Sequence, residues 1–250
     1  MYMAKQPVIV LHHGLFGFAR KQLAPGVGLE YFHRISGSLE SDGHSVVATQ
    51  VSPVASIARR AEELAEQVEQ LDGAPIIVLA HSMGGLDARY MLSRLHRGRD
   101  VAALVTIGTP HHGTSFADWV VRQFGKKLKL EQFIDRMDLN AGAFADLTRK
   151  SSREFTTATP ERTNVRYFSI AGMVEWLNIP AFMLHSHIHV LRNEGANDGV
   201  VPVSSARYGE FLGVWPAHHL QLVNRRLGAG RRLDMKKRYC ALVRKVINSL

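Results

Sequence analysis

The residues best placed to do chemistry gather around one serine. Ser82 lies in Ile76-Ile77-Val78-Leu79-Ala80-His81-Ser82-Met83-Gly84-Gly85-Leu86, an apolar run followed by small residues and then a helix-forming stretch, residues 86–95. A serine hydroxyl attacks an acyl carbon only if a base takes its proton, a third group holds that base, and N–H donors receive the charge developing on the carbonyl oxygen. The segment fits the strand–turn–helix elbow G-x-S-x-G, with Ala80 in the place of the first glycine. A sharp turn needs small residues two positions either side of the serine, since larger ones strike the neighbouring strand or helix. A second loop matches it: the apolar run 8–11 ends in His12-His13-Gly14-Leu15-Phe16-Gly17. The N–H after the serine, on Met83, and one from this loop, on Leu15, are the candidate oxyanion donors, and Gly14 lets the backbone come close.

In such sites the chain order is serine, then an acid, then histidine. Downstream of Ser82, the tight turn Asn197-Asp198-Gly199-Val200-Val201-Pro202 offers Asp198, with Glu175 in reserve, and only His218 and His219 follow it. One of these histidines would take the Ser82 proton and return it to the leaving group. The acid would fix its tautomer and stabilise the imidazolium.

Positioning these groups requires a buried sheet. Residues 8–11, 45–51, 76–80, 102–107 and 165–171 are short Val- and Ile-rich runs without polar alternation, the pattern of parallel strands covered on both faces. Between the second and third, Ile57, Ala61, Leu64, Ala65, Val68 and Leu71 recur at helical spacing. Arg59, Arg60, Glu62, Glu63, Glu66, Gln67 and Glu69 take the other face, and Gly73 closes the helix. Residues 235–250 place Tyr239, Leu242, Val243, Val246, Ile247 and Leu250 opposite Lys237, Arg238, Arg244 and Lys245, which reads as a closing helix packed on the sheet. Strand alternating with helix predicts an α/β fold in one domain, 1–250. Residues 115–163 depart from that grammar. Phe116, Trp119, Val120 and Phe124 form one helical stripe, and Leu130, Phe133, Ile134 and Met137 form a second, as expected of a helical insertion.

Composition narrows the class. A chain of 250 residues with 46% apolar and 21% charged residues is neither disordered, collagen-like nor a coiled coil. The single cysteine, Cys240, excludes an intramolecular disulfide and a cysteine-built zinc site. No apolar run nears the ~18–20 residues of a membrane helix. The run after Lys5 is too short for a secretory signal, so a cytoplasmic protein is expected. A net charge of +9 raises nucleic acid or anionic membrane as partners. It is concentrated, however. Arg225, Arg226, Arg231, Arg232, Lys236, Lys237, Arg238, Arg244 and Lys245 against Asp234 alone supply +8 of it. This cluster follows the last candidate catalytic residue and lies partly on the solvent face of the closing helix. No nucleic-acid partner is therefore expected, and weak attraction to an anionic lipid surface stays open.

Together these segments resemble the bacterial true lipases of the α/β-hydrolase fold, over most of the chain and in family order. The shared stretches are His13-Gly14-Leu15-Phe16-Gly17, Tyr31-Phe32-His33-Arg34-Ile35, Ala80-His81-Ser82-Met83-Gly84-Gly85, Gly108-Thr109-Pro110-His111-His112-Gly113-Thr114-Ser115, Asp146-Leu147-Thr148, Asn197-Asp198-Gly199-Val200-Val201 and His219-Leu220-Gln221-Leu222-Val223-Asn224. The resemblance implies an α/β-hydrolase fold with a mostly parallel central sheet, helices on both faces and a helical lid at about 115–163. It implies a serine carboxylic-ester hydrolase, an esterase or lipase working through an acyl-enzyme without a cofactor on small ester or lipid substrates. It puts the acid on Asp198, the base on His219 rather than His218, and the oxyanion donors on Leu15 and Met83. His13, Phe16, His81 and His111 flank these groups and are the expected substrate contacts. An acyltransferase with the same triad, and a non-catalytic binding protein using the basic C-terminal segment, are the alternative readings.

The chain departs from the family at the calcium site that many of these lipases hold. The ligand Asp two residues past the catalytic His is here Gln221, and a Gln four residues further is Arg225. No acidic residue lies between Trp176 and Asn193 to replace the upstream ligand. Calcium takes several oxygens, usually including carboxylates, so no metal is expected. The insertion is shorter than the lid region of the lipases it resembles, which suits smaller or more soluble esters. Finally, His185-Ser186-His187-Ile188-His189 alternates histidines that would share one face on a strand. Without an adjoining carboxylate or cysteine they are expected in a loop or pocket wall rather than at a metal.

Overall fold

A computed structural model describes residues 6–18, 20–24, 27–71, 74–98, 100–124, 141–225 and 233–250. Its strands are β1 (Val8–His12), β2 (Arg20–Ala24), β3 (Val27–Glu30), β4 (Ser45–Ala48), β5 (Ile76–His81), β6 (Val101–Ile107), β7 (Arg166–Gly172) and β8 (Glu210–Trp215). Its helices are α1 (Ile35–Ser41), α2 (Ile57–Glu69), α3 (Gly84–Ser93), α4 (Ser115–Phe124), α5 (Ala141–Asp146), α6 (Arg149–Ala158), α7 (Leu184–Glu194) and α8 (Met235–Ile247). Six strands form a sheet in the order β4-β1-β5-β6-β7-β8, every neighbouring pair parallel, while β2 and β3 make a separate antiparallel pair.

The unbroken apolar runs are explained by burial on both faces. Ile9 and Leu11 of β1, with Ile77 and Leu79 of β5, pack on one side against Ile35 and Leu39 of α1 and Tyr239, Val243 and Val246 of α8. Val10, Val78 and Ala80 point to the other side, against Ala61, Leu64, Ala65 and Val68 of α2 and Met91 and Leu92 of α3. This is the two-residue period of a strand read from both sides. At roughly 1.5–3 kcal/mol for each large aliphatic side chain taken out of water, it is the main source of stability.

Topology decides where a site can form. From β1 the chain passes through α1 to β4 at the sheet edge, then returns through α2 to β5 on the far side of β1. The connections after β1 and β5 therefore leave in opposite directions, and a crevice opens at the carboxyl ends of these two strands. In register, His12 lies beside Ala80, so the loop after β1 and the turn at Ser82 emerge side by side.

Several expectations need correction. Arg60, placed by helical spacing on the solvent face of α2, is fully buried. Its Nε–H donates to Asp87 Oδ2 at 2.8 Å, and its other nitrogens donate to the carbonyls of His13 and Ser52. The helix ends at Glu69, and Gly73 lies outside the described residues. The strand expected at 45–51 stops at Ala48. The alternating histidines, expected in a loop or pocket wall, sit in helix α7, where 100° per residue leaves His185 and His189 on one face against Trp119 and turns His187 away from them. His187 Nδ1–H donates to Asn197 Oδ1, His189 Nε2–H to the Ser115 carbonyl, and His185 packs on Trp119. The second stripe of the insertion, Leu130 to Met137, lies outside the described residues.

The Arg60–Asp87 pair yields a stability prediction. Arg60→Met leaves a buried carboxylate uncompensated and should cost about 3–5 kcal/mol in urea unfolding. Adding Asp87→Leu should recover a large part of that loss. A double variant no more stable than the single one would show that the pair is not the cause.

Candidate active site

Ser82 ends β5 in the left-handed region, φ 57°, a strained conformation for any residue with a Cβ. The surroundings hold it there. Its N–H donates to the Ile107 carbonyl at 3.0 Å, and its carbonyl accepts the Thr109 hydroxyl at 2.7 Å. Space is set by two glycines. A Cβ on Gly84 would stand 2.7 Å from the His13 carbonyl oxygen, and one on Gly14 would stand 2.7 Å from Ser82 Cβ. The elbow and the loop after β1 thus touch through backbone.

The three polar side chains converge at this point. His219 Nε2 lies 2.9 Å from Ser82 Oγ, and His219 Nδ1–H donates to Asp198 Oδ2 at 2.7 Å. Asp198 is fully buried, and its second oxygen accepts the N–H groups of Val200 (3.0 Å) and Val201 (2.8 Å). The His219 backbone N–H donates to the Asp198 carbonyl at 2.8 Å, tying the two loops together. His218 is turned elsewhere, its Nδ1 accepting the Gln221 N–H. Glu175, the reserve acid, is exposed at the start of a short 3-10 turn, Trp176–Asn178.

Leu15 and Met83 stand on either side of the serine. Among the described residues no acceptor takes either N–H, whereas the neighbouring Phe16 and Gly17 N–H groups are spent on Pro53 and Gly14 carbonyls. Met83 also precedes the first turn of α3, whose amino end favours negative charge. In front of these groups lies a cavity of about 360 Å³. Leu15, Phe16, Ser82 and His219 line it, together with Phe116 and Ala117 of α4, Phe144 of α5, and Leu147, Val200 and Val201.

Of the expected substrate contacts, the structure brings only Phe16 to this cavity, 51% exposed. The three histidines are buried behind it. His13 Nδ1–H donates to the Gly14 carbonyl and Nε2 accepts the Val51 N–H, which braces the loop. His81 Nε2–H donates to the His219 carbonyl at 3.1 Å while Nδ1 accepts the Tyr31 hydroxyl at 2.8 Å. His111 is stacked on Tyr208 and held between Arg89 and Thr106. The sequence places these histidines at strand ends near the site but carries no sign of which way each ring points. Tyr31 and Arg225 also stand in the cavity wall; Tyr31 is 51 residues from Ser82, and Arg225, although six residues beyond His219, carries no sequence sign that its chain folds back to the cavity.

Burial fixes the protonation of these rings. Desolvation pushes His13 down to about 3, and His12, His81 and His111 also lie below their ordinary value for that reason. The Tyr31 hydroxyl is pushed up to about 12 by burial, so it stays a donor.

The residues at the family's calcium position do not fit that ion. The Arg225 guanidinium occupies the region, donating to the Glu30 and Tyr31 carbonyls, and Gln221 is a buried amide rather than a carboxylate. Among the described residues no group of three His, Cys, Asp or Glu side chains could hold a metal.

Comparison with known proteins gives the family and the fold. Residues 42–192 match the PGAP1-like alpha/beta domain. The chain is similar to the triacylglycerol lipase of Vibrio cholerae, 33% identical over 258 residues that cover 88% of this chain and 80% of that protein. It is also similar to triacylglycerol lipase 2 of Saccharomyces cerevisiae, 32% identical over 211 residues that cover 78% of this chain, and it spans 63% of that relative's length. In fold it is similar to the crystal structure of a metagenomic carboxyl esterase, with a TM-score of 0.78 at 20% identity, covering 98% of this chain and 76% of that one.

Two measurements test the site's chemistry. Ester turnover should be unchanged by EDTA; a loss restored by calcium would contradict the misfit of Gln221 and Arg225. The buried neutral histidines make stability fall as pH drops from about 6.5 toward 5. Below their ordinary value the unfolded chain takes up protons that the native state refuses, at up to about 1.4 kcal/mol per pH unit for each ring. Urea midpoints at pH 7.5 and 5 should therefore differ, and identical midpoints would refute it.

Proposed function

We propose a function from one premise: the chain belongs to the PGAP1-like alpha/beta domain family, among lipase-like α/β hydrolases. It is a serine carboxylic-ester hydrolase, and its substrates are esters or lipids. One observation carries the assignment of residues, the unbroken line from Ser82 Oγ through His219 to Asp198 at 2.9 and 2.7 Å.

In this reading Ser82 attacks the ester carbonyl while His219 Nε2 takes its proton. The imidazolium is stabilised by Asp198, whose other oxygen is already held by two backbone N–H groups. The tetrahedral oxyanion is received by the N–H groups of Leu15 and Met83, each worth about 10²–10³ in rate in sites of this kind. As the intermediate collapses, His219 returns the proton to the departing alcohol and leaves an acyl-enzyme on Ser82. Water, activated by the same imidazole, then releases the acid. Tyr31 and His81 act from behind: their hydrogen-bonded pair grips the His219 carbonyl and holds that backbone in place.

The acyl group occupies the apolar part of the cavity. A volume of about 360 Å³ is at the small end of ligand sites, which supports esters of modest chain length. Helices α4, α5 and α6 are read as the lid region of a single domain, with Phe116, Ala117 and Phe144 turned to the acyl chain.

Ser82→Ala should lower kcat by about 10⁴ or more with an unchanged unfolding midpoint, and Asp198→Asn by about 10⁴. Turnover of Ser82→Ala within tenfold of the parent would reject the assignment. Across a series of 4-nitrophenyl esters, kcat/KM should peak at short to medium acyl chains; a clear preference for emulsified long-chain esters would overturn the chain-length reading.

A further inference from the structure

Of the described residues lining the cavity, only Arg225 carries a permanent charge. Six residues beyond His219, it folds back through a bond from its N–H to the Leu220 carbonyl, so its side chain reaches the same cavity as the triad. The guanidinium is held in place. Nη2–H donates to the Glu30 carbonyl at 3.0 Å and Nε–H to the Tyr31 carbonyl at 3.4 Å. The group lies over the Phe18 ring, 5.1 Å from its centroid, with Tyr31 at 6.0 Å.

These contacts orient the cation without neutralising it. Among the described residues no carboxylate is within ion-pair reach of Arg225, and Nη1 has no hydrogen-bond partner. A positive charge beside an apolar wall has lost part of its hydration and regains free energy when an anion pairs with it. A planar guanidinium with unused N–H groups suits an oxyanion above other ligands, because carboxylate and phosphate oxygens match its fork. A neutral acyl chain offers it nothing. We propose that Arg225 is a specificity-determining residue that recognises a carboxylate or phosphate carried by the ester seated at Ser82. The proposal rests on the reading of Ser82 as the nucleophile, and it names the substrate class as anionic esters.

The anionic group has two possible positions on the ester, and matched substrates separate them. For the acyl side, the mono-4-nitrophenyl ester of adipic acid is compared with 4-nitrophenyl hexanoate. For the alcohol side, 1-octanoylglycerol 3-phosphate is compared with 1-octanoylglycerol. The wild-type protein should favour the anionic member in at least one pair by about tenfold in kcat/KM, the weight of a charge-assisted hydrogen bond. Arg225→Gln should lower that anionic-to-neutral ratio about tenfold, and Arg225→Lys, which keeps the charge but not the fork, should retain part of it. A ratio unaffected by Arg225→Gln in both pairs overturns the proposal.

A measurement without any variant guards against misfolding. Dodecyl phosphate should inhibit the wild-type protein at least tenfold more strongly than dodecanol at low salt, with the gap shrinking in 0.5 M NaCl. Equal inhibition by the two overturns the proposal. Binding of dodecyl phosphate to Ser82→Ala separates this idea from the hydrolase reading. Tight binding that a further Arg225→Gln change abolishes, together with a wild-type protein that cleaves none of the esters, would uphold the subsite and reject the hydrolase. Cleavage of neutral esters without such binding would do the reverse.

Discussion

The whole site depends on one crowded contact, where the backbone after β1 meets the backbone after β5. Ser82 holds a left-handed conformation that an isolated chain would leave at once. Such strain costs of order 1–3 kcal/mol and persists only where its surroundings over-determine it. Here they do so from three directions. Gly14 and Gly84 let the two loops close to backbone distance, Ile107 and Thr109 take both peptide groups of the serine, and Arg60 reaches across from α2 to hold the His13 carbonyl. The core on both faces of the sheet supplies the free energy that this arrangement draws on. Relaxing the contact would move Ser82, Leu15 and Met83 together.

Around that contact the protein encloses four imidazoles and leaves a fifth at the cavity edge. His12, His13, His81 and His111 are enclosed, each with both ring nitrogens satisfied, and burial holds them neutral. His219 differs in position, since its ring reaches the cavity edge while its backbone is clamped by His81 and Asp198. The five rings are the same chemical group in different solvation. Four serve as rigid hydrogen-bonding struts, and the fifth is the one to which the proposed mechanism assigns the proton.

How legible this was in the sequence follows from how local each signal is. The elbow is a contiguous strand–turn–helix pattern, so Ser82, Ala80 and Gly84 could be read directly, and the five apolar runs fall on five of the six sheet strands. Strand β8 carries no such run, because Glu210-Phe211-Leu212-Gly213-Val214-Trp215 is an edge strand, only partly buried and broken by Gly213 at φ 123°. The inward turn of Arg60 is invisible to periodicity, since its reason is Asp87, 27 residues away on another helix. Helix α7 was masked by its alternating histidines, whose partners Trp119, Asn197 and Ser115 lie on other elements. The orientations of His13, His81 and His111 were likewise beyond a one-dimensional reading. Each ring's direction is set by a tertiary acceptor such as the His219 carbonyl.

The sequence distances within the site bear on how the molecule comes into being. Ser82 and His219 are 137 residues apart, and β5 with its elbow is complete long before the segment carrying His219 is made. A sheet of parallel strands closed by such distant contacts forms slowly compared with locally connected folds. During synthesis the growing chain therefore carries a serine with no base beside it, and an unassisted hydroxyl is inert. In the proposed mechanism esterolytic power arrives only when the last third of the chain has docked and brought His219 to Ser82.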